Sequence, residues 1–220
     1  DGREFRYAKS TAAGVMIPTM GCNFTDTGLV AYTAFAVAAA VGDLEITIPA
    51  ATHAATTTDS LKGGYVIVFN GAATNDVTYE ITGNDASDAN ALFKVRLDMP
   101  VAVAIVAGTS AAEVYINPWS AIAQANSSVL PRAGVPVVSV SAAANYFWLQ
   151  TKGIKFINPQ TGVGADNGGI ECYWRHDGSL QKGETALAVT TAASDTNQPA
   201  GIVIAGSKAG NGPLIYLAGY

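Results

Sequence analysis

Short runs of β-branched and aromatic residues, each cut off by Gly, Asn, Asp or Pro, recur along the whole 220-residue chain. Residues 44–48 (LEITI) alternate apolar and polar and stop at Pro49. Residues 65–69 follow Gly63-Gly64 and end at Asn70-Gly71; residues 77–82 alternate again and end at Gly83-Asn84, so the two predict a hairpin. Residues 93–97 set Phe93, Val95 and Leu97 on one face, and 101–106 form a continuous apolar run between Pro100 and Gly108. Further strands are predicted at 114–116, 135–140, 146–150, 154–157, 186–189, 202–205 and 214–217. Only 119–124 and part of the Ala-rich stretch after Leu29 carry a helical option. The expected fold class is therefore all-β: a β-sandwich or barrel-like domain of short strands and Gly-rich turns, with an extended N-terminal arm.

The arm is read as residues 1–28 and the β-rich domain as 29–220, with a sub-boundary near 127–134, where Ser, Pro and Gly cluster. Arg3-Glu4-Phe5-Arg6-Tyr7 mixes aromatic and basic residues, and in an extended chain Arg3, Phe5 and Tyr7 share a face. Such an arm does not bury its aromatics alone. It packs on its own domain as a first edge strand, or on a neighbour through Arg3, Phe5, Arg6 and Tyr7.

Composition narrows the function. Ala accounts for 39 residues, so much of the apolar 49% consists of small side chains that bury little area each. The net charge is −5 and the basic residues are scattered, which excludes the phosphate-binding patch of a nucleic-acid binder. The longest uncharged apolar stretch, 28–42, is shorter than the roughly 20 residues of a membrane-spanning helix. The opening residues carry Arg3, Glu4, Arg6 and Lys9 in place of the apolar run of a secretory leader. Cys22 and Cys172 form no CxxC pair and read as two buried thiols. His53 and His176 have no metal-ligand spacing, so no metal and no cofactor is expected.

Several motifs imitate catalytic ones. Asp26, His53 and Ser110 follow the order of the subtilisin triad, but the flanking Gly of the histidine and the Pro after the serine are missing, and the strands are of the wrong kind. Asp26-Thr27-Gly28 resembles the aspartic-protease triplet, yet no second triplet supplies the partner carboxylate, and the same residues are ordinary turn chemistry. The Gly-rich run 162–169 lacks the Lys-Ser or Lys-Thr and the helix start of a phosphate loop. Trp174-Arg175-His176-Asp177-Gly178 is the densest polar cluster and reads first as a turn. Tyr146, Phe147, Trp148, Tyr173 and Trp174 supply rings for a sugar platform or for a core. No enzyme is expected.

Several phrases together resemble the β-rich decoration, or cement, proteins that coat the heads of tailed bacteriophages. They are Gly2-Arg3-Glu4-Phe5-Arg6-Tyr7-Ala8, Ala39-Ala40-Val41-Gly42-Asp43, Leu61-Lys62-Gly63-Gly64-Tyr65-Val66, Tyr79-Glu80-Ile81-Thr82-Gly83-Asn84, Tyr146-Phe147-Trp148-Leu149-Gln150-Thr151-Lys152-Gly153 and Pro199-Ala200-Gly201-Ile202. The resemblance covers most of the chain. It implies a structural virion protein on the outer surface of the capsid, with the major capsid protein as partner, no nucleic acid and no membrane. It further implies a homo-oligomer, trimer first and dimer second. The alternative is a carbohydrate-binding or adhesin module on a virion or cell surface.

Overall fold

The computed structural model describes all residues except 1, 12, 13, 26, 127–129, 160–162, 164–170, 183–194, 207–211 and 220. Among the described residues fifteen strands follow one another: β1 (Glu4–Lys9), β2 (Cys22–Phe24), β3 (Gly28–Ala34), β4 (Glu45–Ile48), β5 (Tyr65–Phe69), β6 (Val77–Asn84), β7 (Phe93–Leu97), β8 (Ala111–Tyr115), β9 (Ile122–Gln124), β10 (Arg132–Pro136), β11 (Tyr146–Phe156), β12 (Glu171–Arg175), β13 (Leu180–Lys182), β14 (Asp195–Ala205) and β15 (Leu214–Leu217). The only helical turns among the described residues are the single 3-10 turns Ala73–Asn75 and Pro118–Ser120. The protein is all-β, with antiparallel strands of the sandwich or barrel-like kind.

The chain divides into two compact units, one of residues 26–118 and one of residues 1–25 together with 119–220. These boundaries differ from the sequence division at 28/29: the first 25 residues belong with the C-terminal half.

Unit 26–118 is one six-stranded sheet in the order β3-β8-β5-β6-β7-β4. Alternation builds its core. Val66 and Val68, Tyr79 and Ile81, Phe93, Val95 and Leu97, and Ile46 and Ile48 all point inward, and Ile46 faces Val95 across the ladder. The expected hairpin 65–82 is present as β5–β6, with Tyr65 opposite Glu80. The run 101–106 is not a strand. Val101 and Ile105 are buried, but the backbone bonds to loops and side chains, with Ala102 N–H donating to the Tyr79 hydroxyl and Val106 N–H to Ser110 Oγ. Its one ladder-like contact is the Ala39–Ile105 bridge. The Ala-rich stretch after Leu29 begins as strand β3, not helix.

In the other unit β13-β12-β14-β15-β11-β10-β2-β9 lie side by side, and β1 pairs with β11. One core gathers Val135, Ile157, Cys172, Trp174, Leu180, Ile215 and Leu217; another gathers Ala8, Met16, Cys22, Ile122, Val140, Phe147 and Leu149. The helical option at 119–124 resolves into a 3-10 turn and β9. The strand expected at 135–140 runs instead over β10, starting at Arg132 and ending at Pro136.

The two strands expected at 146–150 and 154–157 are one, β11. They are joined across an irregularity, because Glu4 faces Lys152 while Phe5 faces Gln150. The carboxamide of buried Gln150 donates to the carbonyls of Lys152 and Ile154 at 3.1 and 3.0 Å and so satisfies groups the ladder leaves open. Gly153, at φ +94°, completes the bend; a Cβ there would lie 2.8 Å from Arg3 Cα. The strand expected at 186–189 lies outside the described residues.

Candidate interaction face

The four candidate residues lie on or beside β1. Antiparallel pairing sets Arg6 across from Leu149, Tyr7 from Trp148, Ala8 from Phe147 and Lys9 from Tyr146. Facing residues share a side of the sheet, so the strand sorts its side chains by parity. Ala8, with Phe147 and Leu149, is buried in the core. On the opposite side Phe5, Tyr7, Tyr146 and Trp148 remain 40%, 56%, 61% and 55% exposed, four uncovered rings on one face.

The rings form one cluster. Tyr7 stacks on Tyr146 with centroids 5.5 Å apart and planes 9° from parallel, and lies 5.2 Å from the Trp148 ring. Val137, whose N–H donates to the Trp148 carbonyl at 2.9 Å, continues the apolar surface, and Phe5, Val137 and Trp148 line a shallow depression in it. Cations frame the rings. The Arg3 guanidinium lies 5.8 Å from the Phe5 centroid and the Lys9 ammonium 5.5 Å from that of Tyr146, within the range of cation–π attraction. Arg6 turns to the other side of the strand, over Trp119 at 5.7 Å.

The start of the strand is held by an ion pair, Lys152 Nζ to Glu4 Oε1 at 2.8 Å. The hydrogen bond and charge of Lys152 hold the Glu4 carboxyl below its ordinary value, and Glu4 raises Lys152 in return. Both side chains are about half exposed, so the pair contributes little to stability and serves to fix position.

A surface of this kind has the make-up of a docking site. It offers large rings of few rotamers, and aromatic and Arg side chains are the usual hot spots of protein interfaces. Sequence reading put Arg3, Phe5, Arg6 and Tyr7 together but left Tyr146 and Trp148 apart from them and did not single out Val137. The signal for Tyr146 and Trp148 was the alternation of Tyr146-Phe147-Trp148-Leu149, which marks one covered and one open face. Pairing across so great a chain separation is not written in either segment.

Other candidates resolve into structure. Trp174, expected as a possible ring for sugars, is 1% exposed and belongs to the core. The Trp174–Gly178 cluster is the start of the β12–β13 turn: Arg175 pairs with Asp177 at 3.1 Å, and Asp177 accepts from the Ser179 hydroxyl and N–H. Asp26 lies outside the described residues, as does the Gly-rich run 162–169 except Val163. Ser110 Oγ donates to Asn70 Oδ1 at 2.7 Å, not to His53. The His53 ring is buried against Phe93, with its nitrogens 2.7 and 2.9 Å from the carbonyl oxygens of Ala54 and Ala91. Neither residue is placed as base or nucleophile. Cys22 and Cys172 are free buried thiols, each pushed up to about 12 by burial, with the Arg132 charge pulling Cys22 slightly back.

No protein-family model matches this chain, and neither does any curated protein or solved structure.

Proposed function

We propose that this protein is a structural virion subunit, a cement or decoration protein that binds the outer surface of an icosahedral phage head and stabilises its shell of major capsid protein. The observation that carries the reading is the open ring face of Phe5, Tyr7, Tyr146 and Trp148, flanked by Arg3 and Lys9. The likeness of the chain's phrases to decoration proteins supports it, and so does a composition poor in charge and rich in small residues. The rings dock on apolar ground of the shell, and Arg3 and Lys9, the cations beside them, meet acidic groups there, whereas Arg6 is turned to the other side of the strand.

The test is a binding titration of purified shells that lack this protein. Tyr7→Ala with Trp148→Ala should weaken binding by about thirtyfold or more, because truncating one good hot spot costs about 2 kcal/mol. The melting temperature should barely move, since both rings are more than half exposed. Unchanged binding by the double variant would overturn the docking face.

A carbohydrate-binding module is the second reading, favoured by the exposed Trp148 beside the stacked Tyr7–Tyr146 pair. A glycan array with one discrete ligand, lost on Trp148→Ala, would favour it over the first.

A further inference from the structure

Arg6 turns away from the ring face onto Trp119, and Trp119 is one wall of a cleft of about 250 Å³. Phe24, edge-on to Trp119 with centroids 5.0 Å apart, Trp174 and Leu217 supply further apolar walls, and Arg132 and Thr151 supply polar ones. The frame around it is closed. Besides pairing with β11, β1 bridges to β9 at Ser10–Ile122, and Thr11 N–H donates to the Ile122 carbonyl at 3.0 Å, so β9, β2, β10, β11 and β1 form a ring of strands. The Trp174 indole is wedged on Gly21, where a Cβ would lie 2.7 Å from its Cζ3. Walls carried on paired strands in this way make a preformed site.

The chemistry of the walls is one-sided. Arginine and the two indoles only donate hydrogen bonds, and among the described residues none that lines the cleft is acidic. Arg132 is 2% exposed, and burial pushes its guanidinium down to about 10 against the charges of Asp177 and Cys22. Its Nη2 donates to the Arg175 carbonyl and its main-chain N–H to Gln198 Oε1 at 2.7 Å, so the residue is held in place. Asn23 faces Arg132 across the β2–β10 ladder and is fully buried, with an amide that meets no protein partner among the described residues. Its Nδ2 is a further donor on the same side of the sheet.

We infer that this cleft binds a small carboxylic acid with an aromatic body, the carboxylate on Arg132 and the ring between Phe24, Trp119 and Trp174. The cation is already out of water, so a carboxylate that meets it makes a charge-assisted pair in a low dielectric. The three aromatic walls take a flat body edge-on or stacked. Drug-sized sites occupy roughly 300–1,000 Å³, so this smaller cleft has room for one ring and a short acidic arm. Arg6, over Trp119, adds a second positive charge to the same region.

The inference does not rest on shell binding, because its test contains no shells and none of the open rings lines the cleft. The full chain is titrated with phenylacetate, phenylacetamide and acetate, and binding is read by calorimetry and by tryptophan fluorescence, since two of the three tryptophans are walls. Phenylacetate should bind saturably and raise the melting temperature. The amide has the same shape without the charge, and acetate has the charge without the ring; each should bind at least about tenfold more weakly. Ala218, half-buried, also lines the cleft, and Ala218→Phe fills it from there. That variant should keep the parent's circular dichroism and lose at least about tenfold in phenylacetate affinity. The comparison of acid with amide on the parent chain needs no variant to fold. Absence of saturable phenylacetate binding, equal binding of acid and amide, or binding undiminished in folded Ala218→Phe would each overturn the proposal.

Discussion

Asp177 shows how one carboxylate closes a turn. Burial pushes its carboxyl up, but the Ser179 hydroxyl at 2.6 Å, the Ser179 N–H at 2.9 Å and the Arg175 charge outweigh that, and the group titrates below its ordinary value. A depressed folded-state value gives stability that is complete above the ordinary carboxylate range and is lost as pH falls through the folded value. Asp177→Asn should therefore melt below the parent at pH 7, and the gap should narrow as the pH is lowered toward about 3. A gap that stays constant between those two pH values would mean that the charge is irrelevant to the turn. Gly178, at φ +83° with its Cα face against Gly21, makes the same turn possible from the backbone side.

At the scale of elements, β11 is the strand on which the interaction face depends. Gly153 is its joint: a side chain there meets the Arg3 backbone and is forced to a positive φ. Gly153→Ala should cost about 1–3 kcal/mol and expose the β1 amides to hydrogen exchange before those of β5 and β6. Thermal melting with exchange mass spectrometry reads both effects. The sequence made β5, β7 and β15 legible to the residue, because β5 and β15 are short apolar runs cut off by Gly, Asn or Pro and β7 alternates apolar with charged residues. It made β11 legible only as two pieces, since the Gln150 side chain that bridges the break is a polar residue whose burial no local pattern announces. The run 101–106 misled for the opposite reason. Its apolar residues fill a core from a loop, where burial of Val101 and Ile105 is separable from ladder pairing. Strands of three residues such as β2 and β13 are too short to show any period.

At the scale of the whole molecule, residues 26–118 occupy the connection between two paired strands. Phe24 of β2 faces Ile122 of β9, and Thr25 N–H donates to the Ala121 carbonyl. Within the inserted unit Gly28 faces Tyr115, and Ile116 N–H donates to the Thr27 carbonyl, so its two ends lie side by side. Such a unit has its own core and needs no other strand to complete its sheet. Residues 26–118 expressed alone should give a β-type circular dichroism spectrum and a cooperative melt. The remainder, closed by a short Gly-Ser linker, should keep the Tyr7–Trp148 ring contact, read as quenching of Trp148 fluorescence that Tyr7→Ala relieves. A non-cooperative melt of the isolated unit would show that it does not fold alone.

The same interruption orders events on the ribosome. The strand β1 leaves the exit tunnel long before β11 is translated, and the enclosed unit is finished in between. At about 5–20 residues per second that interval is on the order of ten seconds, during which Phe5 and Tyr7 have no sheet to join. Arg3, Glu4, Arg6 and Lys9, interleaved with those rings, give the unpaired strand the charge pattern of gatekeeper residues, which opposes zipping of nascent chains on one polysome. The charges that frame the finished face thus guard the nascent strand first.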